Sequence, residues 1–147
     1  MSSEVATVAN LRLLNQHEVA LAWHMIFFAV KKSELYRDDT QIVNLLLDAH
    51  AGRIQCWILK GDEGLKAVIM TQMFWNKYTG NKTFTLTHAN SLESVSDDEW
   101  SRIYGTLIQF ARGEHCNRIE VFTDNGRAKD ILRQHDFSEQ SVFRKEI

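Results

Sequence analysis

Thr83-Phe84-Thr85-Leu86-Thr87-His88 and Arg118-Ile119-Glu120-Val121-Phe122-Thr123 flank a helical segment, and the order of these three pieces decides the fold. The first piece alternates strictly: Phe84 and Leu86 face one way and the threonines the other, the period of a strand with one covered face. Between the pieces, Ser96 followed by Glu99 makes a capping box. Trp100, Ile103, Tyr104, Leu107 and Ala111 then share one helical face, and Gly113 suits a helix C-terminus. A strand, a crossing helix and a second strand imply parallel pairing of 83–88 with 118–123.

Outward from this unit, Ile54–Lys60 and Leu65–Trp75 read as strands around the turn Gly61-Asp62-Glu63-Gly64, and Thr79-Gly80-Asn81 makes the next turn. Upstream, Asp38-Asp39-Thr40 opens a helix with Ile42, Leu45, Leu46 and Ala49 on one face and Gly52 at its end. Asn15 and Glu18 form another capping box. Val19, Trp23, Ile26, Phe27 and Val30 continue from it as a single apolar helical stripe. A weak first strand is expected over Thr7–Leu14. Downstream, Gly126–His135 reads as a short helix with Ala128, Ile131, Leu132 and His135 on one face, and Phe137–Glu146 as a closing strand. The order is β-α-α-β-β-β-α-β-α-β: an α/β (mixed α+β) fold with a mixed, mainly antiparallel sheet flanked by helices. No repeat, low-complexity tract or charge run divides it, so residues 1–147 read as one domain.

The chain has 147 residues, enough for a core that needs no metal or disulfide staple. Seventeen Lys and Arg against 19 Asp and Glu leave a net charge of −2, which argues against a dedicated nucleic-acid binder. Arg127, Lys129 and Arg133 are the only modest basic candidates. Cys56 and Cys116 cannot build a disulfide framework and read as reduced thiols used as small hydrophobes. Six scattered histidines show no metal-ligand spacing, so no metal site is expected. The absence of proline excludes Pro-marked linkers. The longest apolar run, Val19–Val30, is twelve residues, too short to cross a bilayer. It also begins too late, and without a basic leader, for a signal peptide. An intracellular protein without a membrane partner is expected.

The element order, together with Phe110-Ala111-Arg112, His115-Cys116-Asn117-Arg118-Ile119-Glu120-Val121, and Asn125, Ala128, Ile131 and Phe137, resembles the GCN5-related N-acetyltransferase (GNAT) superfamily. The order covers nearly the whole chain, and the residue match begins near Ser96. The resemblance implies a coenzyme A pyrophosphate held by backbone N–H groups at the start of the third helix, through a Gln/Arg-x-x-Gly-x-Gly/Ala motif. Counted back from Cys116, those positions carry Val95, Asp98 and Trp100, and the helix opens Asp97-Asp98-Glu99. Carboxylates suit the positive helix end but repel a pyrophosphate there. Arg102-x-x-Gly105 lies about two turns too deep, where the N–H groups serve the helix itself. The family's proton-donating tyrosine falls at Leu132, which has no proton to give, and Asp136 replaces the glycine before Phe137.

Among other candidates, His88 and Glu93 could supply a base beside an acceptor amine, against a plainer role for His88 in extending the Phe84–Leu86 face. His24, within an apolar helix, reads as a core histidine. Trp23 and Trp100 read as core, and so do Trp75, Phe74 and Tyr78, although the last three stand at a hairpin end where exposure would mark an interface. Trp75, Tyr78 and the helix from Met25 to Phe28 are the candidate partner contacts. Small acetyltransferase-like proteins with eroded coenzyme motifs, encoded in tailed-bacteriophage head modules, also resemble this chain. That likeness implies a non-catalytic virion-associated or assembly protein, in a virion or the host cytoplasm, bound to other proteins in multiple copies. Acetyl-CoA is then not bound tightly, and no cofactor is expected. The alternative is an acetyl-CoA-dependent N-acetyltransferase of a small amine or protein amine.

Overall fold

The computed structural model describes residues 11–32, 38–62, 64–123 and 125–147. In chain order its elements are β1 (Leu11–Leu13), α1 (Gln16–Leu21), α2 (Trp23–Lys31), α3 (Asp39–His50), β2 (Gln55–Gly61), β3 (Gly64–Trp75), β4 (Lys82–Ser91), α4 (Asp97–Gly113), β5 (Arg118–Val121) and α5 (Gly126–Gln134). The strands form one five-stranded sheet in sequence order. The first three pairings are antiparallel and β4 runs parallel to β5, with Thr83 opposite Arg118 and Leu86 opposite Val121. The crossover through α4 dictates that direction.

Alternation on the strands sorts the core into two layers. Leu11, Trp57, Leu59, Ala67, Ile69, Phe84 and Leu86 meet the inward faces of α4 and α5. Cys56, Ile58, Val68 and Met70 point the other way, onto α1, α2 and α3. Both thiols are free, Cys56 buried and Cys116 half-buried. Burial pushes the Cys56 thiol up to about 12, so it behaves as a hydrophobe. Among the described residues no helix is long and apolar enough to cross a membrane.

Helix ends follow their sequence signals. Asn15 and Ser96 each complete a capping box, with Glu18 and Glu99, and Asp38 caps Gln41. The ends of α4 and α5 share one device. Cys116 N–H donates to Ala111 and Phe137 N–H to Leu132, each bridging a residue in the left-handed region, His115 (φ 61°) and Asp136 (φ 66°). Neither residue is glycine, the usual occupant of that conformation.

Three expectations need correction. The stripe from Val19 to Val30 is two helices, because Ala22 (φ −95°, ψ 11°) ends α1 and starts α2. Alanine favours helix, so local preference does not set this break. His24 is exposed and not in the core. The expected last strand, Phe137–Glu146, is irregular: Phe137 packs on the α4–α5 layer, and Glu139 pairs with Lys129 and Arg133, drawing the chain toward α5 and off the sheet. Of the expected first strand, Leu11–Leu13 is present and Thr7–Asn10 lie outside the described residues.

Candidate functional site

β4 outruns its partner. The parallel ladder ends at Leu86 and Val121, while β4 continues to Ser91 with that edge uncovered. Near the same point, β4 carries one more residue than β3, since Met70 faces His88 but Thr71 faces Leu86. Such a bulge sharpens the local twist and parts the strands. The result is a cleft of about 810 Å³ between β4 and β5. Leu86, Val121 and Ile131 line it, with Trp100 and Tyr104 from α4 and Asn125 and Arg127 from the start of α5.

The bulge also decides His88. Its register places it opposite Met70, which belongs to the α1–α3 layer, so it does not extend the Phe84–Leu86 face. His88 is 4% exposed, and burial lowers its pKa to about 4, leaving a neutral imidazole at pH 7. It borders the cleft, whereas Glu93 is exposed beyond the end of β4 and is not among the cleft-lining residues. Tyr104, read from sequence as core, also borders the cleft, stacked with Trp100 at 6.1 Å between ring centroids. Burial raises its pKa. Leu132 is buried in the α4–α5 layer.

The start of α4 stands beside this cleft, and its groups are engaged within the chain. Ser96 Oγ accepts from Glu99 N–H, and Glu99 Oε1 accepts from Ser96 N–H, each at 3.1 Å. Lys66 Nζ reaches both Glu99 oxygens, at 2.8 and 3.0 Å. This ammonium, together with the Ser96 N–H, holds the Glu99 carboxyl below its ordinary pKa. Arg127 pairs with Asp97 and donates to the Val95 carbonyl at 2.8 Å. Arg102 pairs with Asp98 at 3.1 Å. Val95 is buried in the core, and Trp100 lies half-buried against Tyr104. Each of the three carboxylates thus has its own cation, which corrects the picture of bare negative charge drawn from the sequence. The Asp98–Arg102 pair, four residues apart on one helix, was open to sequence reading, but no local signal could have shown the other two, since Lys66 and Glu99 stand 33 residues apart and Arg127 and Asp97 stand 30 apart.

The hairpin aromatics are not core. Trp75 is 70% and Tyr78 88% exposed, and Phe74 is exposed as well. They stand at the end of the β3–β4 ladder, outside both core layers. Met25 and Phe28 are exposed on α2, where Lys32 lies 4.9 Å over the Phe28 ring. The basic candidates are paired: Arg127 with Asp97, Lys129 with Glu139, and Arg133 with Asp130 and Glu139. Among the described residues no group of three His, Cys, Asp or Glu could hold a metal ion.

No family model and no curated protein sequence matches the chain. Its structure is similar to several solved acetyltransferases. A probable acetyltransferase superimposes with a TM-score of 0.70 at 14% identity, over 93% of this chain and 95% of that one. A predicted acetyltransferase from Clostridium acetobutylicum, solved with acetyl-CoA, gives 0.71 at 11%, over 94% and 95%. An aminoglycoside acetyltransferase from an uncultured soil metagenomic sample gives 0.69 at 12%, over 93% and 94%. At these identities the likeness is one of fold, and the chain has the GNAT-type fold: a mostly antiparallel five-stranded sheet flanked by helices.

Proposed function

We propose that this protein keeps the acetyltransferase fold without its chemistry and acts through contacts with other proteins, as copies within a larger assembly. The supporting observation is the start of α4. A pyrophosphate bound there would need N–H donors and cations, and the Glu99 N–H is already held by Ser96, Lys66 by Glu99, Arg102 by Asp98 and Arg127 by Asp97. The obstacle is occupancy, centred on the partly buried Lys66–Glu99 pair, where displacement leaves a group unpaired at about 1–3 kcal/mol. Leu132 supplies no proton in place of the family's tyrosine, and His88, whose affinity for a proton is lowered by burial, is a poor base. Trp75 and Tyr78 on the hairpin, and Met25 and Phe28 on α2, are the surfaces offered to partners. The likeness to acetyltransferase-like proteins of phage head modules favours a virion or its host's cytoplasm as the setting.

A second reading, an acetyl-CoA-dependent N-acetyltransferase of a small or protein amine, is favoured by the open cleft and by Tyr104 within it. Isothermal titration of acetyl-CoA into the full chain separates the two. The first reading expects no saturable heat at micromolar ligand. A dissociation constant in the low micromolar range, about −8 kcal/mol, overturns it.

A further inference from the structure

A second cavity, of about 760 Å³, opens beside the β3–β4 hairpin on the face of the sheet turned away from α4 and α5. Register fixes its floor. Thr83 stands between Phe74 and Arg118, and Thr85 between Gln72 and Glu120, so these residues share one face, while Phe84 and Leu86 turn into the α4–α5 layer. The layer under α1, α2 and α3 takes Cys56, Ile58, Val68 and Met70 from β2 and β3 but none of the floor residues. Phe74 on β3 and Phe122 just past β5 line the groove and remain exposed. The groove meets the β4–β5 cleft at Phe74, Thr85 and Phe122, but Thr83, Arg118 and Glu120 are no part of that cleft.

Its polar groups are unspent. Thr83 and Thr85 are 8% and 7% exposed, and neither hydroxyl hydrogen-bonds to another described residue. Buried hydroxyls are normally paired, as Thr71 is with Trp57 Nε1 and Gln55 Oε1. Both free oxygens stay reachable from the groove. Beside them, the exposed side chains of Arg118 and Glu120 form no ion pair or hydrogen bond with another described residue. β4 is laddered on both sides over 83–86, so its backbone has nothing left for an added strand. The rim is built in advance: Asn76 Oδ1 accepts from the Tyr78 and Thr79 N–H groups, and the Asn117 side chain ties Asn81 Oδ1 and the Lys82 N–H to the foot of β5.

An occupant therefore meets side chains alone, lays an apolar face on phenyl rings, and both donates and accepts. A ligand with net charge gains at one of Arg118 and Glu120 and loses at the other, which disfavours a phosphate and a simple amine alike. A sugar ring suits both: its weakly positive C–H faces fit the negative faces of aromatic rings, and its hydroxyls pair with threonine, guanidinium and carboxylate. The volume lies within the range of about 300–1,000 Å³ usual for small-molecule sites. We infer that this groove binds a neutral saccharide, its ring against Phe74 and Phe122 and its hydroxyls on Thr83, Thr85, Arg118 and Glu120. The inference goes beyond the proposed function and does not rest on it: Tyr78, offered there to protein partners, here rims a small-molecule site.

The test follows the backbone amides and threonine methyls of the full chain by NMR while maltotriose, cellotriose or chitotriose is added to about 10 mM. At least one is expected to give saturable shifts at Thr83, Thr85 and Glu120, with a dissociation constant of about 1 mM or below. Phe122→Ala, at an exposed position, is expected to weaken that binding about tenfold. Thr83→Val, which keeps the shape and removes the hydroxyl, is expected to weaken it about fivefold. Three silent titrations overturn the inference, as do shifts confined to Trp100 and Tyr104 of the cleft, or an affinity that ignores both substitutions. Tighter binding of glucose 6-phosphate or glucosamine than of the neutral trisaccharides overturns it too. A silent groove in a chain that also ignores acetyl-CoA refutes this inference alone, and a saccharide-binding chain that takes acetyl-CoA tightly refutes the proposed function alone.

Discussion

The β4–β5 cleft and the start of α4 lie side by side and are built on opposite principles. The cleft leaves a strand edge and apolar side chains uncovered. The helix start engages its Glu99 and Trp100 N–H groups and all three of its carboxylates from within the chain, through Ser96, Lys66, Arg102 and Arg127. Backbone topology makes the first, since a bulge opposite Met70 and Thr71 and a short β5 part the strands whatever side chains line them. Side-chain choice makes the second. Topology fixes the shape of the cleft, and side-chain choice decides what stands beside it.

The largest expected effect comes from the cleft. His88 titrates near pH 6.5 when unfolded but near 4 when folded, so between those values the unfolded chain binds the extra proton. Stability is then full above pH 6.5 and falls as pH drops toward 4, by on the order of 3 kcal/mol. Urea unfolding at pH 7 and pH 4.5 reads this, and His88→Gln should flatten the dependence. An equal loss in the variant would place the pH sensitivity elsewhere.

A smaller effect is expected at the helix start. Lys66→Met leaves the mostly buried Glu99 carboxylate without its cation and should cost about 2 kcal/mol in chemical denaturation. The same change should raise the Glu99 pKa, so that its carboxylate protonates earlier on acidification, which side-chain NMR can follow. A cost near zero would mean that Lys66 is no part of the closure.

Much of the fold was legible because its signals are local. Alternation in 83–88, the capping boxes at Asn15 and Ser96, and the helix end at Gly113 each announce an element within a few residues. The parallel pairing followed from the crossover alone. The break at Ala22 and the irregular tail were not legible, since packing and the Glu139 ion pairs override weak local preference there. At the site, the sequence located the start of α4 and its carboxylates but not the cations that neutralise them. It put His88 on the wrong face, because one bulged residue reverses the alternation beyond it.

The smallest expected effect concerns Asp136, which holds a left-handed conformation that glycine adopts without strain. Asp136→Gly should raise thermal stability by about 0.5–1 kcal/mol while leaving cleft and helix start unchanged. A loss of stability would show that the Asp136 side chain supports the turn into Phe137.

The closure of the α4 start is tested most directly by following the backbone amides of Asp97, Asp98, Glu99 and Trp100 by NMR while coenzyme A is added to about 1 mM. With Glu99 N–H held by Ser96 Oγ, Trp100 N–H by the Ser96 carbonyl and the neighbouring cations paired with the carboxylates of the helix, those four resonances are expected to stay in place, even if residues of the cleft shift weakly. Saturable shifts of the Asp98 and Glu99 amides, with release of the Lys66–Glu99 pair, would contradict the account and return the chain to the enzymes that share its fold.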